Sequence, residues 1–560
     1  MSSQRPGTGS TRPPALADDR AALHERVKQQ FGAYGAAPAE AGGGGDDHAL
    51  DEREILADNF FKPTVRIIAG VFLLSLFASI ASTPGFDAPG VWANTFRFDT
   101  TLVVLWGPLL VWAMARFKLT RSVRIYLVLA LFIEPFSEVM LRQQGDGYWD
   151  TVLWPAAVAY YGTVKEWSGV PGASLPVFFL VTVGLLYRAT RGRRTPDLVP
   201  PPKFARDLLL FFLASVVAIS AYGLVRGAEI QAIVRQVVHL AQLPLIGLVF
   251  LYVLRVPEDL AAIGTIYVTT ALLRSLLVMY VYFGVCMPAG ITDRPGMPEW
   301  CTTHSDSVLF VMSILIVVTN AFEQRTAKAI QRALLVSAVL LSAMVLNNRR
   351  LAFVSLSIAP AVIYLALRPS KRKRRVTAAL VIGIPVTVLY ILVGAELNTT
   401  SPIVKPAKLG MSVLDQRDSS SISRDIENEN LIHTLRQSPV LSTGFGFEYQ
   451  SSPNNPPVDL SEVFVNYRLI AHNGVLWIWS IGGLVGFTSL WLIFPVTGTL
   501  AFRGYRSAQS PLERSAALTA LGGVAICIVQ VWGDQGINGY IIPITIGVCF
   551  TVATRLAMRV

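Results

Sequence analysis

Three short segments of this chain carry arginine or histidine in patterns that suit chemistry on an anionic, phosphate-bearing substrate. Arg349 and Arg350 stand at the start of an apolar stretch, Arg424 opens a polar segment, and His472 directly precedes another apolar stretch. A guanidinium group is a permanently charged fork that matches phosphate oxygens. A helix N-terminus disfavours imidazolium, and a neutral imidazole is what a general base needs. The three segments predict an arginine clamp beside a histidine base.

Each of these residues also has a simpler interpretation. The two neighbouring arginines could extend to lipid headgroups while their stems pack in the membrane. Arg424 could form an ion pair with Asp425 or Glu427. His472 could cap a helix or lie at the membrane interface without taking part in chemistry. Spacing alone leaves these alternatives open.

The segment around Arg424 predicts a helix with a defined end. Ser421 or Ser423 can serve as the N-cap, acidic residues follow, and the helix should run to Gln437, before Pro439. Arg424 would then lie in the first turn, where the macrodipole disfavours a cation. This position suggests that its charge has another use.

A turn and a polar residue near these segments are further candidates for substrate binding. Gly444 and Gly446 flank an aromatic residue, a pattern typical of a tight turn that brings backbone close to another group. Asn473 follows the candidate base directly.

Ionisable residues also occur inside the apolar stretches, where they are functional candidates by default. Arg235 and His239 are one helical turn apart, as are Glu134 and Glu138, and Arg274 stands in the next stretch after Arg235. We expect the glutamates to hold the helices together. We expect Arg235 and Arg274 to line a cavity for the phosphate of a lipid.

Motifs for metal-dependent and nucleotide-dependent chemistry are missing from the sequence. It contains no HExxH, CxxC, Walker A or GxSxG pattern. The sequence therefore predicts no metal site and no cofactor.

Composition places these candidates in a membrane protein. The chain is 52% hydrophobic and 15% charged, and its apolar residues come in blocks long enough to cross a bilayer as helices. The net charge of +11 does not indicate a nucleic-acid partner, because the basic residues lie in short loops between apolar blocks. We predict an all-α polytopic membrane protein that contacts the lipid bilayer.

The apolar blocks predict about fourteen transmembrane helices. The predicted spans are 66–83, 100–116, 123–141, 174–190, 207–226, 232–253, 259–282, 305–322, 328–346, 351–367, 376–394, 473–501, 514–532 and 538–555. The apolar but interrupted region 148–163 is predicted to be an interfacial piece rather than a crossing.

Basic residues cluster in the connections that follow even-numbered spans, which predicts that these loops and both termini are cytoplasmic. The connections after odd-numbered spans then face outward, and the longest of them, 395–472, lies between spans eleven and twelve. A loop of that length is usually functional. The arginine and histidine segments all fall on the outward side in this topology.

The domain organisation predicted from these patterns has three parts. Residues 1–62 form a disordered cytoplasmic tail, 63–346 an N-terminal transmembrane bundle, and 347–560 a C-terminal region that includes the loop 395–472. Cys286 and Cys301 share one short loop and could form a disulfide if that loop is extracytoplasmic.

The C-terminal region resembles the O-antigen ligase/polymerase family. The segments that carry the resemblance are, in order, NNRRLAFVSL, SRDIENENLIHTLRQSP, GFGFEY and AHNGVLWIWSIGGLVGF. The family's first turn usually reads Ser-Arg-Gly, where this chain has Asn348, Arg349 and Arg350; of the two arginines, Arg349 is preferred. The family often has an aromatic residue after the arginine of the second segment, where this chain has acids and asparagines.

The resemblance implies a GT-C-like helical fold and a metal-independent, inverting glycosyltransferase of the bacterial inner membrane. The donor would be an oligosaccharide on undecaprenyl pyrophosphate, and the acceptor a sugar hydroxyl of a glycolipid. Arg349 (or Arg350) and Arg424 would hold the pyrophosphate, and His472 would deprotonate the acceptor on the periplasmic side.

Three functions remain open within and beyond this resemblance. Polymerisation of surface polysaccharide repeat units is favoured slightly, because a large outward loop leaves room for two lipid-linked glycans. An O-antigen ligase would attach the glycan to lipid A core or another anchor. A flippase or exporter of lipid-linked glycans is the alternative from another class. Flippase or chain-length regulator proteins are the partners expected of a polymerase.

Overall fold

The computed structural model describes residues 62–73, 75, 116–133, 153–164, 175–191, 200–255, 258–286, 302–347, 349–397, 404–412, 419–455, 468–534 and 536–558. The predicted tail lies outside these residues except for its last position. Most of the predicted span 100–116, both intramembrane glutamates, Glu134 and Glu138, and Cys301 of the predicted disulfide also lie outside them.

The described residues are predominantly helical and contain no β-strand, and an isolated β-bridge joins Thr163 and Pro176. In chain order the α-helices named in the described part are α1 Leu119–Phe132, α2 Trp154–Tyr161, α3 Val177–Arg191, α4 Lys203–Val225, α5 Ile230–Val253, α6 Glu258–Val281, α7 His304–Gln324, α8 Ala327–Asn347, α9 Arg350–Ala366, α10 Lys371–Glu396, α11 Lys405–Ser412, α12 Ser419–Gln437, α13 Gly474–Trp491, α14 Ile493–Ser507, α15 Pro511–Gly533 and α16 Ile541–Ala557.

Eight of the helical segments in the described residues are long and apolar enough to cross a membrane, and α9 and α16 are shorter apolar helices. The all-α, multi-pass character predicted from composition is therefore confirmed. The count of fourteen spans and the position of the large outward loop stay predictions. Within the predicted interfacial piece, α2 is only eight residues long.

Short connections join the successive helices from α7 to α10. The turns that join α7 to α8, α8 to α9 and α9 to α10 are each a few residues long. As a result the start of α7, the end of α8 and the start of α9 meet at one end of the bundle, which we call the site end. At the opposite end, Glu323 from α7 forms ion pairs with Arg372 and Arg514, at 3.5 and 2.8 Å.

Helix α15 lies in the centre of this packing, against α7, α9, α14 and α16. Small residues permit the close approach: a Cβ added at Gly523 would lie 2.6 Å from the Cys549 sulfur. Such small-residue contacts are the usual way for helices to pack in a membrane. Cys527 and Cys549 are buried free thiols, as expected of cysteines inside apolar stretches.

The predicted span 473–501 is divided into two helices, α13 and α14, and α13 itself is broken at Gly483. This glycine has φ +59° and ψ −164°, so the helical hydrogen bonding is interrupted inside an apolar run. The loop after α12 fills the break. The Leu484 amide donates to the Pro439 carbonyl at 2.8 Å, and the Gly444 amide donates to the Ile481 carbonyl at 2.9 Å. Polar backbone exposed by the break is satisfied in this way.

Candidate functional site

Arg349 is held rigidly at the turn between α8 and α9. It is the N-cap residue of α9 and only 6% exposed. Its Nη2 donates to the carbonyl oxygen of Thr302 at 2.7 Å. Asn347, at the end of α8, accepts from the amide and the hydroxyl of Thr302 at 3.2 and 2.6 Å. These bonds attach the arginine turn to the start of α7.

Three charged residues act on the buried guanidinium of Arg349. Burial lowers the pKa of Arg349 to about 9, the carboxylates of Asp534 and Asp306 oppose this, and the positive charge of Arg424 adds to it. The pKa remains above neutral, so Arg349 is still a cation at physiological pH. Two arginines from distant segments are thus close enough to influence each other, as two ligands of one anion must be.

Arg350 differs from its neighbour in position. It is the first residue of α9 and is half-buried. Arg349 interacts electrostatically with Asp534, Asp306 and Arg424. These interactions support Arg349 as a residue of the site, and the choice between the two arginines stays a prediction.

Arg424 projects from α12, and that helix starts earlier than the sequence indicates. Helix α12 spans Ser419–Gln437, so the predicted end is right but the start at Ser421 or Ser423 is wrong. Arg424 lies in the second turn rather than the first, where the macrodipole is weaker. Among the described residues, its half-buried side chain makes no ion pair with Asp425 or Glu427, in contrast to the simpler interpretation.

His472 lies against a glutamate that is 45 residues earlier in the sequence. The His472 backbone amide donates to Glu427 Oε2 at 3.0 Å. The ring nitrogen Nδ1 lies 3.2 Å from Oε2 and 3.3 Å from Oε1 of the same carboxylate. The hydroxyl of Tyr449 donates to Oε1 at 3.4 Å. Glu427 is 8% exposed, and the His472 side chain is 22% exposed.

The charges around His472 favour its protonated form. Burial lowers the pKa of His472 and so does Arg424, but the hydrogen bond and charge of Glu427 and the charge of Asp534 outweigh them, and the pKa is raised above its ordinary value. The sequence-based expectation that the helix N-terminus favours a neutral ring is therefore wrong, because the nearby carboxylates raise the pKa of His472. The ring is a stronger base than a free histidine, and it is neutral only above the raised pKa.

Asp534 and Asp306 are site residues that the sequence analysis did not identify. Asp534 is the C-cap residue of α15, is 5% exposed, and acts on both Arg349 and His472. Asp306 lies in the first turn of α7. Each is an isolated acid beside an apolar helix, so its spacing from the other site residues along the chain does not indicate that it lies near them.

Asn473 has a structural role in the described residues. Its side-chain oxygen accepts from the amide of Leu476 at 3.1 Å and caps α13. Its amide nitrogen donates to Asn428 of α12 at 3.0 Å. Asn473 therefore holds the start of α13 against α12, which brings His472 to Glu427. Substrate binding by Asn473 stays a prediction.

The glycine turn packs against protein backbone. A Cβ added at Gly444 would lie 2.7 Å from the Cα of Gly223 at the end of α4. A Cβ added at Gly446 would lie 2.6 Å from Ala228 and from Ile233. The expectation that these glycines allow close approach is met by the bundle itself, and their contact with substrate stays a prediction.

The two intramembrane arginines occupy different environments. Arg274 is fully buried, pairs with Asp306 at 2.7 Å, and donates to the carbonyl of Phe132 at 3.0 Å. Arg274 is therefore connected to the site by Asp306, whose carboxylate also interacts with Arg349. Arg235 is exposed on α5, and within the residues that the structure describes it forms no ion pair or hydrogen bond with the other site residues. Its neighbour Gln236 instead binds the loop, accepting from the Gly446 amide at 2.5 Å.

The described residues contain no group of three or more His, Cys, Asp or Glu side chains that could hold a metal ion. What they bring together is Arg349, Arg424, His472, Glu427 and Asp534, from four separate places in the chain. Such a site has two fixed cations for an anionic group and one base beside them.

Comparison with known proteins agrees with the resemblance seen in the sequence. Residues 335–491 match the family model described as O-antigen ligase. The matched segment includes Arg349, Arg424 and His472, whereas Asp306 and Asp534 lie outside it. No curated protein matches the chain.

Proposed function

We propose that this chain, whose residues 335–491 match the O-antigen ligase family model, is a membrane glycosyltransferase. Its donor is a glycan linked to undecaprenyl pyrophosphate. The acceptor is a sugar hydroxyl on a second glycolipid, and the product is surface polysaccharide built from repeat units. One observation carries the proposal: Arg349, Arg424 and His472 converge from three segments, and Arg424 forms no ion pair within the described residues that would neutralise it.

The arginines supply the charge that the leaving group needs. Lipid pyrophosphate leaves with negative charge, and guanidinium groups fixed in a partly dry site stabilise that charge without reorganising. Arg349 is fixed by its bond to Thr302 and by burial. Positioning and electrostatics can then carry most of the catalysis, which supports a metal-independent mechanism.

His472 supplies the base. It takes the proton of the acceptor hydroxyl while the acceptor oxygen attacks the anomeric carbon from the side opposite the pyrophosphate. The carbon–oxygen bond to pyrophosphate breaks as the new glycosidic bond forms, so the configuration inverts. A general base of this kind contributes about a hundredfold to ten-thousandfold in rate.

The charge distribution supports an outward-facing site in the bacterial inner membrane. The opposite end of the bundle carries Arg372 and Arg514 beside Glu323, and further basic residues lie in or next to the connections after α7, α9 and α14. Basic residues favour the cytoplasmic side. The site end would then face the periplasm, where lipid-linked glycans are joined.

A ligase is the second candidate, and the description of the matching family favours it. Ligase and polymerase share the donor and the chemistry, and they differ in the acceptor. Incubation with the donor alone separates them: a polymerase extends one lipid-linked glycan with another, whereas a ligase needs lipid A core or another anchor. A flippase would need neither His472 nor an acceptor.

The test is glycan transfer by the purified full chain in detergent and EDTA. The donor is undecaprenyl-pyrophosphate-linked oligosaccharide extracted from a host strain that lacks this gene, with and without lipid A core. We expect transfer by the wild type and a loss of about a hundredfold or more in His472→Ala and Arg424→Ala. Each extract is compared before and after reaction by gel electrophoresis of the glycan.

Arg436→Ala is the matched control, because this exposed arginine lies on the same helix α12 outside the site. It should transfer glycan as the wild type does. Transfer that is equal in wild type and His472→Ala would contradict the proposal and point to the flippase, which would then move the lipid-linked glycan across liposome membranes.

A further inference from the structure

We propose that Glu427 is a positioning residue that orients His472 and fixes which ring nitrogen is the base. The inference rests on the proposed function, since it concerns the base of that reaction. It assigns a role to a residue that neither the family match nor the arginine and histidine segments single out.

The geometry ties one carboxylate to both the backbone and the ring of His472. Oε2 accepts the backbone N–H at 3.0 Å and lies 3.2 Å from Nδ1, so the carboxylate reaches the residue from two directions. Tyr449 donates to Oε1 at 3.4 Å and limits rotation of the carboxylate. Two anchors on one residue leave the imidazole little freedom to turn. Such orientation is what a general base needs before substrate arrives.

The carboxylate also decides the tautomer. An ionised glutamate only accepts hydrogen bonds, so a neutral imidazole facing it carries its proton on Nδ1. The lone pair then lies on Nε2, the nitrogen turned away from Glu427. A carboxylate that holds a histidine in this way is a recurring arrangement in enzymes that need a histidine base.

The proton balance of the reaction follows from this arrangement. The acceptor O–H bond breaks and its proton goes to Nε2, while the acceptor oxygen forms the bond to the anomeric carbon. At the same time the bond from the anomeric carbon to the pyrophosphate oxygen breaks, and its electron pair leaves with the lipid pyrophosphate beside Arg349 and Arg424. His472 becomes an imidazolium, which Glu427 stabilises through Nδ1 without taking the proton itself.

The charged groups that face His472 come from two places besides its own segment. Helix α12 contributes Glu427 and Arg424, and the end of α15 contributes Asp534. The two acids favour imidazolium and the arginine opposes it. Glu427 acts most strongly of the three, and its carboxylate lies within hydrogen-bond distance of the ring.

Helix α12 carries both parts of this machinery on one face. Arg424 and Glu427 are three residues apart, a spacing that places side chains side by side on a helix. Glu427 therefore lies beside Arg424 on the face of α12 that meets His472.

The experiment compares Glu427→Gln with wild type in the transfer assay over a range of pH, using the same extracted donor. Glutamine keeps the shape and an acceptor oxygen but removes the charge, so the pKa of His472 falls. We expect kcat to fall about tenfold or more at its plateau. The acid limb of the kcat profile should move to lower pH, and KM for the donor should change little.

Glu429→Gln is the matched control, with the same chemical change two residues along α12 on an exposed side chain. It should leave the acid limb where it is in wild type. If Glu427→Gln is too slow to profile, Glu427→Asp takes its place. Aspartate keeps the charge, so we expect partial activity and an acid limb close to that of wild type.

Three outcomes would overturn the inference. The first is a loss of kcat in Glu427→Gln with an unmoved acid limb, which indicates a structural role. The second is a raised KM with unchanged kcat, which indicates substrate binding. The third is an equal loss in the aspartate and glutamine variants. Activity retained by His472→Ala would instead contradict the proposed function, so the two failures are distinguishable.

Discussion

The burial of Arg349 sets its chemistry apart from that of a surface arginine. Its guanidinium is surrounded by protein, donates to the Thr302 carbonyl, and lies near the carboxylates of Asp306 and Asp534. Charges interact more strongly where water is excluded. An anion that enters this site would therefore meet a cation that is already desolvated and oriented, and little binding energy would be lost to reorganisation.

Replacement of Arg349 by lysine tests this account at the residue scale. Lysine keeps a positive charge but loses the planar fork, so it cannot hold Thr302 and a phosphate together. We expect Arg349→Lys to lower kcat by about a hundredfold, the scale of losing one donor to a developing charge. Glycan transfer by purified protein measures it, with Arg350→Lys as the neighbouring comparison.

The loss in Arg350→Lys should be much smaller, because Arg349 is the more deeply buried arginine and interacts with Asp306, Asp534 and Arg424. An equal or larger loss in Arg350→Lys would assign the pyrophosphate to Arg350 instead. Correct folding of both variants is checked by thermal unfolding in detergent.

Residue types could be predicted from the sequence where local pattern decided them. Arg349 and His472 stand beside apolar spans, where a cation or a base is unusual, and Arg424 was expected in the first turn of a helix, where a cation is disfavoured. Glu427 and Asp534 could not be predicted in the same way, because each acid comes close to His472 only when distant segments of the chain fold together. The raised pKa of His472 shows the consequence: its main favourable partner is 45 residues away in the chain.

At the scale of elements, the break in α13 connects the membrane bundle to the loop that carries the site. The loop from Pro439 to Gly446 enters the break and exchanges backbone hydrogen bonds with both sides of it. The same loop follows α12 directly, so its docking fixes the helix that carries Arg424 and Glu427. The geometry of the site thus depends on a glycine inside an apolar run.

Gly483→Ala should disturb the site although it touches no catalytic group. The backbone at φ +59° and ψ −164° is one that essentially only glycine adopts, at a cost of about 1–3 kcal/mol for other residues. A Cβ there would also overlap the carbonyl of Val440. We expect a lower unfolding temperature in detergent and reduced glycan transfer.

Gly383→Ala is the control for that substitution. Gly383 lies inside α10, and a Cβ added there meets no heavy atom within 4 Å among the residues that the structure describes. Alanine is a better helix former than glycine, so this variant should unfold at the same or a slightly higher temperature. A Gly483→Ala protein as stable and active as Gly383→Ala would contradict the role of the break.

The elements themselves were predictable to different degrees. The end of α12 at Gln437 was predicted because Pro439 cannot continue a helix, whereas its start was misplaced because several serines in a row can each act as a cap. The span 473–501 was predicted as one helix because hydropathy records burial from water and not backbone geometry. Only the packing of the loop against Gly483 reveals that the helical backbone is broken there.

At the scale of the whole molecule, charge asymmetry predicts which way the site faces. The basic residues in or next to the connections after α7, α9 and α14 gather at one end of the bundle, and the arginine and histidine site lies at the other. The positive-inside bias places the basic end in the cytoplasm. Arginines at the site end are contrary to that bias, and binding of an anionic substrate would explain their position.

Cysteine labelling in intact cells tests this orientation. Ser451→Cys places a thiol in the exposed loop after α12, and Gln509→Cys places one in the exposed connection between α14 and α15. Both are made in a chain with Cys286 and Cys301 replaced by serine, since Cys527 and Cys549 are buried. A membrane-impermeant maleimide should label Ser451→Cys in spheroplasts and should label Gln509→Cys only after the membrane is permeabilised. The reverse pattern would place the site on the cytoplasmic side. The enzyme would then have to bind its donor and acceptor in the inner leaflet, before either is exported, and the proposed periplasmic reaction would be contradicted.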